Sequence, residues 1–263
     1  MSTIQSVFRF ELADGFRSRW MLAHGLLYLV LTEGLLLASG FSDKALVSLI
    51  NVVLLLVPLI SLVFGIIHQY NSREFIELMM TQPVRRRDLF SGLVLGVVTP
   101  LVATFALGVF LPFAWHGGLT PVQGARLASL LALGSVLMIT GLGTAFALSL
   151  RYTDKVRGIG VALLLWLAYA VLYDGAVLLG VAMFDQFPID KALLGVMLAN
   201  PVDLARLLLL QVFDAAAMMG YTGAVFTRFF GSVTGFVLSA GALVFWMAVP
   251  TLLARRLFER RDF

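Results

Sequence analysis

Six stretches of this chain, 20–40, 45–67, 92–115, 127–150, 159–183 and 232–253, contain no lysine or arginine, and only two carboxylates, Glu33 and Asp174, interrupt them. Each exceeds the roughly 20 apolar residues that carry an α-helix across a bilayer core of about 30 Å. In hydrocarbon every backbone N–H and C=O must be satisfied internally, which leaves helices and closed barrels. A barrel strand is about ten residues of alternating polarity, so unbroken runs of this length specify an all-α membrane protein with six spans. Charged residues make up only 13% of the chain, against about 25% in soluble domains. The first apolar run is too long for the h-region of a secretory signal and is followed by no small-residue cleavage site, so it is expected to remain in place. The absence of cysteine excludes disulfides, thiolate metal sites and cysteine nucleophiles.

The basic residues set the orientation. With the N-terminus inside, the cytosolic segments hold Arg9, Arg17, Arg19, Arg73, Arg85, Arg86, Arg87, Arg151, Lys155, Arg157, Arg255, Arg256, Arg260 and Arg261, which is 14 of the 19 basic residues. Both termini are therefore expected in the cytosol. The net charge of +4 then fits an anionic leaflet, with membrane lipid as the partner and no nucleic acid. Ile4, Phe8, Leu12, Phe16 and Trp20 step by four and predict an N-terminal amphipathic helix at the inner interface. Between spans five and six, the segment 184–230 is read as outer re-entrant or interfacial helices, the first over 190–198. Asn200, Pro201 and Asp203 supply an N-cap, N1 and N3 start signal for the second, on which Asp203, Arg206, Gln211 and Asp214 share a stripe. Asn200, Asp203, Arg206 and Asp214 form the expected outer partner surface.

The sequence forms of familiar catalytic and nucleotide sites are missing. No His-Glu pair offers a zincin motif, no Gly-Lys offers a phosphate-binding loop, and no Gly-x-Ser-x-Gly elbow occurs. The chain is expected to bind no cofactor and to catalyse nothing itself. His24, His68 and His116 are not at ligand spacing, and interhelical hydrogen bonds are their expected role. Glu33 and Asp174 each lie about 20 Å from the cytosolic end of their span, and intramembrane carboxylates are usually functional. They are either interhelical hydrogen-bond partners or a shared polar site in a pathway, with Tyr169 and Tyr173 beside Asp174. Met183, Met197, Met218 and Met219 all fall on the outer side, where packing or Cu(I) ligation is open to them. Gly92 with Gly96, and Gly231 with Gly235, mark close helix approaches.

The loop 69–91 between spans two and three is QYNSREFIELMMTQPVRRRDLFS. Phe75, Ile76, Met79 and Met80 share one side of a helix, Arg73, Glu74 and Glu77 the other, and Pro83 stops it. This segment resembles the coupling helix of the permease subunits of ABC-2 type ABC transporters, whose pattern is Glu-x-Gly-Thr-Leu-Glu-x-Leu-Leu-x-x-Pro. Aligned on Pro83, Glu77 matches the second glutamate and Met79 and Met80 the leucine pair. Ser72, Glu74 and Phe75 depart from the pattern. Glu11-Leu-Ala-Asp14 before the first span, Asp174, Asn200-Pro201-Val202-Asp203, Arg206 and the terminal Arg255-Arg256 are most similar to permeases of the nitrous-oxide-reductase maturation (Nos) transporters.

The resemblance implies a half-transporter of the bacterial inner membrane that pairs with a second copy. Two ATPase subunits would hold ATP and magnesium, and a periplasmic accessory protein that handles copper would meet the outer segment. ATP-driven closure of the ATPases would move the loop helix through Glu74, Phe75, Glu77, Met79, Met80 and Pro83, with Phe75 and Met79 seated in an ATPase groove. The alternative is a proton-coupled secondary transporter that uses Glu33 and Asp174. Since the chain has no cysteine, its topology is directly testable. Single cysteines at Ser42, Gly117 and Gln186 will react with an impermeant thiol reagent added outside, and those at Ser72, Thr153 and Asp262 will not. Labelling at Asp262 from outside contradicts the arrangement.

Overall fold

The computed structural model describes residues 3–39, 43–116, 119–184, 195–213 and 233–261. In chain order the helices are α1 (Thr3–Arg17), α2 (Arg19–Ser39), α3 (Asp43–Asn71), α4 (Arg73–Met80), α5 (Arg86–Trp115), α6 (Pro121–Arg151) and α7 (Lys155–Leu167). A π-helical turn (Ala168–Leu172), α8 (Tyr173–Met183), α9 (Pro201–Val212) and α10 (Val233–Arg260) follow. Six of the described helical segments are long and apolar enough to cross a membrane: α2, α3, α5, α6, the continuous rod from Lys155 to Met183, and α10. Several outrun the apolar stretches that define them. The 30 residues of α5 reach about 45 Å, because no breaker separates the charged turn after Arg86 from the apolar run.

Helix ends fall where capping chemistry puts them. Thr120 accepts the Gln123 N–H and Gln123 reaches back to the Thr120 N–H, with Pro121 in the first turn of α6, a reciprocal capping box. Asp154 accepts the N–H groups of Val156 and Arg157 to start α7, and Asn200 accepts the Val202 N–H to start α9. Arginines tie one end of the bundle together. Arg86 donates to the carbonyls of Glu259 and Arg261, and Arg261 to those of Ser149 and Leu150.

Helix α6 is the central post, packed against α3, α5, α7, α9 and α10. Two glycines make this possible. A Cβ on Gly141 would sit 2.0 Å from Ser61 Oγ of α3, and one on Gly143 would sit 2.5 Å from Thr251 Oγ1 of α10. Positions two apart are turned by about 200° on a helix, so the pair opens opposite flanks to two neighbours. In a membrane, where lipid tails are as apolar as leucine, such close backbone approach supplies much of the helix association.

Helix α1, expected as an amphipathic helix at the inner interface, has one face docked on other parts of the protein. It lies along the first half of α5, where Cβ atoms on Gly92 and Gly96 would come within 2.8 Å of Val7 and 2.3 Å of Glu11. Val7 and Glu11 are buried, while Phe16 and Trp20 of the predicted stripe are exposed. The glycine cleft of α5 selects the docked face, and it accepts a carboxylate that an apolar count passes over. Gly231 of the second expected glycine pair lies outside the described residues.

The packing predicts a graded response to added methyl groups. Gly108 of α5 has the Gly25 carbonyl of α2 only 2.5 Å from its would-be Cβ, whereas Gly241 of α10 has open space. Gly108→Ala should destabilise by about 1–3 kcal/mol through overpacking, and Gly241→Ala should be neutral or mildly stabilising. Thermal unfolding in mild detergent checks this, and equal midpoints for both variants contradict it.

Candidate functional site

Two constellations occupy opposite ends of the bundle. The first is built on α4, which begins one residue after α3 ends, with Ser72 between them. Ile76 is completely buried, and Phe75, Met79 and Met80 pack half-buried against the core. The Phe75 ring stacks on Phe10 of α1 at 5.0 Å. Phe75 and Met79, expected to enter a partner's groove, are thus partly engaged within the chain. Glu74 and Glu77 point outward, and Leu78, 62% exposed, is the apolar side chain between them.

Three tethers join α4 to the rest of the molecule. Arg73 lies 4.9 Å from the Tyr70 ring centre, and the Tyr70 hydroxyl donates to the carbonyls of Tyr152 (2.7 Å) and Asp154 (3.1 Å) in the α6–α7 turn. Lys155 donates to Asn71 in the same turn. Ser72 and His68 are 3.3 Å apart, and His68 meets Glu11 of α1, also at 3.3 Å. Sequence reading passed over Tyr70, although an aromatic and an arginine three residues apart are helical neighbours.

The second constellation surrounds Asp174. Arg206 of α9 makes an ion pair with Asp174 of α8 and another, at 3.1 Å, with Asp203. Asn200 donates to Asp203 (3.0 Å) and to the Tyr169 carbonyl (2.8 Å). That carbonyl is accessible for a local reason: in the π turn, the Tyr173 N–H goes to Ala168 rather than to Tyr169 as an α-helix would require. The Tyr173 hydroxyl donates to the Val196 carbonyl, and Trp246 of α10 donates to the Leu198 carbonyl at 3.0 Å. The outward partner surface expected at Asn200, Asp203 and Arg206 is therefore an internal network in this chain. Asn200 and Asp203 are buried because α9 turns this polar edge toward α8 while its leucines fill the space beside α6 and α10. Asp214 lies outside the described residues, as do Met218, Met219 and all but 195–198 of the short helix expected over 190–198.

Glu33 is held elsewhere, 2.6 Å from His116 and 3.2 Å from the Trp115 indole nitrogen at the end of α5. The two intramembrane carboxylates thus have separate partners on separate helices. Each histidine bridges two helices, His24 through Thr104 at 2.9 Å, His68 through Glu11 and His116 through Glu33.

Comparison with known proteins gives two full-length similarities. The chain is 32% identical to a protein of Pseudomonas aeruginosa named as a probable ABC transporter permease protein NosY, over 99% of both chains. It is 28% identical to a protein of the same name from Stutzerimonas stutzeri, again over 99% of both. No family model matches.

The network around Asp174 and Asp203 has a pH signature. Burial first, then the hydrogen bond and charge of Asp174, push the Asp203 carboxyl up from 3.8 to about 7, against the pull of Arg206 and Asn200. The folded chain thus holds a proton there between about 4 and about 7 that the unfolded chain has lost, so stability from this group falls as pH rises through that window. Asp203→Asn keeps an acceptor for Arg206 and a donor toward Asp174 without titrating. Thermal midpoints at pH 5 and pH 8 should diverge in the parent and converge in the variant. An equal decline in both removes Asp203 as the titrating group.

Proposed function

The chain belongs to the NosY family of ABC transporter permeases, and from that premise we propose that it is the membrane half of an ATP-driven machine whose separate ATPase subunit docks on α4. The observation that carries this reading is the outward edge of α4, Glu74, Glu77 and Leu78, on a helix anchored inward through Ile76. An eight-residue helix is too short to hold itself in water, and its inner face is already secured by the core. The free edge is consequently available for a partner, with Glu77 facing a basic residue and Leu78 as the apolar contact. ATP and magnesium belong to that partner, in keeping with the missing phosphate-binding loop.

In this reading the basic end of the bundle, with both termini, faces the cytosol of a bacterial inner membrane, and two copies form the working unit. ATP-driven closure moves α4, and the displacement reaches α9 and the outer segment. The work done there is export or mechanical action on a periplasmic accessory protein, and the proposal extends to a part in copper-related maturation of nitrous oxide reductase. A proton-driven carrier using Glu33 and Asp174 is less well supported, because each carboxylate has its own cationic or imidazole partner.

The test is co-purification of the ATPase, and its turnover, with the parent chain, Glu77→Lys and Leu78→Ala. Loss of a buried apolar anchor of about 1–2 kcal/mol should weaken association about tenfold, and charge reversal should do so at least as strongly. Full association and coupled turnover in both variants would remove α4 as the docking element.

A further inference from the structure

A cavity of about 870 Å³ lies between the α1–α2 elbow and the inner half of α3, with Gly96, Val97, Pro100 and Leu101 of α5 as its floor. That volume is within the range of about 300–1,000 Å³ typical of ligand clefts. Its two ends differ in chemistry. One end carries Glu11, Asp14, Ser18, His68, Asn71 and Ser72, and the other is walled by Leu27, Leu59, Val63 and Phe64. No lysine or arginine lines it among the described residues, although the chain is basic overall. Trp20 and Leu27 on its rim are exposed, so the apolar half opens sideways, toward where lipid chains lie in a spanning protein.

One buried side-chain atom in this cavity lacks a partner. His24 is 6% exposed, and its Nδ1 is 2.9 Å from Thr104 Oγ1. The Thr104 hydroxyl proton goes to the Pro100 carbonyl, so Thr104 must accept from His24 Nδ1–H, and Nε2 is left as a bare acceptor. That atom has no hydrogen-bond partner, a condition that buried polar atoms rarely tolerate without a ligand or water. Its acceptor character matches the two carboxylates. The site asks for a molecule with several N–H donors and a positive charge at one end and hydrocarbon at the other.

We propose that this cavity binds a phospholipid whose headgroup ends in a primary ammonium, drawn from the leaflet on the α4 side. The ammonium faces Glu11 and Asp14, Ser18 and Asn71 offer donors to the phosphate, and an acyl chain lies along Leu59, Val63 and Phe64. A second copy of the chain fits less well, since its apolar surface would cover these carboxylates without neutralising them. Phe75 of α4 is part of the wall, so the lipid sits against the helix assigned above to ATPase docking. Its effect on coupling rests on that reading, but its binding does not.

The experiment is native mass spectrometry of the permease after exchange into nanodiscs of phosphatidylethanolamine, phosphatidylcholine or phosphatidylglycerol, with ATPase co-purification measured separately on the same preparations. Phosphatidylethanolamine should be retained about tenfold over the other two, a ratio equivalent to about 1.4 kcal/mol. Glu11→Gln with Asp14→Asn should abolish that preference, and Val63→Trp, which fills the apolar half, should reduce retention of all three lipids. Equal retention of the three by the parent chain overturns the proposal, as does an unchanged preference in the double variant. Loss of dimer in Val63→Trp with lipid retention unchanged also overturns it, by assigning the groove to a second copy. ATPase association that fails while the lipid preference stands would count against the docking of α4 alone.

Discussion

A backbone carbonyl in hydrocarbon has no water to turn to, and most of this molecule follows from that. The spans close their hydrogen bonds internally, so a departure from helical regularity needs a specific compensating donor. Ala168–Leu172 is such a departure, and Asn200 provides a donor to the Tyr169 carbonyl it alters. The same asparagine caps α9 and contacts Asp203. One irregular turn therefore fixes where α9 docks and places Arg206 within reach of Asp174.

Close packing does for the bundle what capping does for its ends. Gly141 and Gly143 let α6 lie against α3 and α10 at once, and Gly92 and Gly96 seat α1 on α5. Such contacts are short-ranged, and a gap of even 1 Å forfeits much of their attraction. A bundle held this way moves by shifting helices as bodies more readily than by deforming them.

The existence of the six spans was legible in the sequence because length and apolarity alone determine it, while their ends run past the apolar stretches, and the start of α9 was legible because Asn200 and Pro201 act locally. The division of α4 into an inner and an outer face was legible from its periodicity. What covers the inner face was not: Phe75 meets Phe10, a residue 65 positions earlier, and no helical spacing encodes that contact. Glu11 was hidden for a related reason, since its burial depends on a glycine cleft in another helix. Asp174 and Arg206 each stood out as a charged residue in an apolar setting, but their pairing across 32 positions appears only once α9 has folded back against α8.

These contacts also connect the two ends of the molecule. Arg73 on α4 covers Tyr70, whose hydroxyl holds the carbonyls of Tyr152 and Asp154, and the Asp154 side chain caps α7. From there one helical rod runs through the π turn to Asp174 and its ion pair with Arg206. Contiguity is not coupling, which requires an element with two discrete arrangements. The π turn is the irregular element of this rod, and resorbing its extra residue into regular α-helix would rotate everything beyond it by about 100°. Asp174 would then leave Arg206, and Asn200 would lose its carbonyl. A displacement at α4 that shortened or lengthened this rod by one residue would in this way free α9 or lock it, without melting any span.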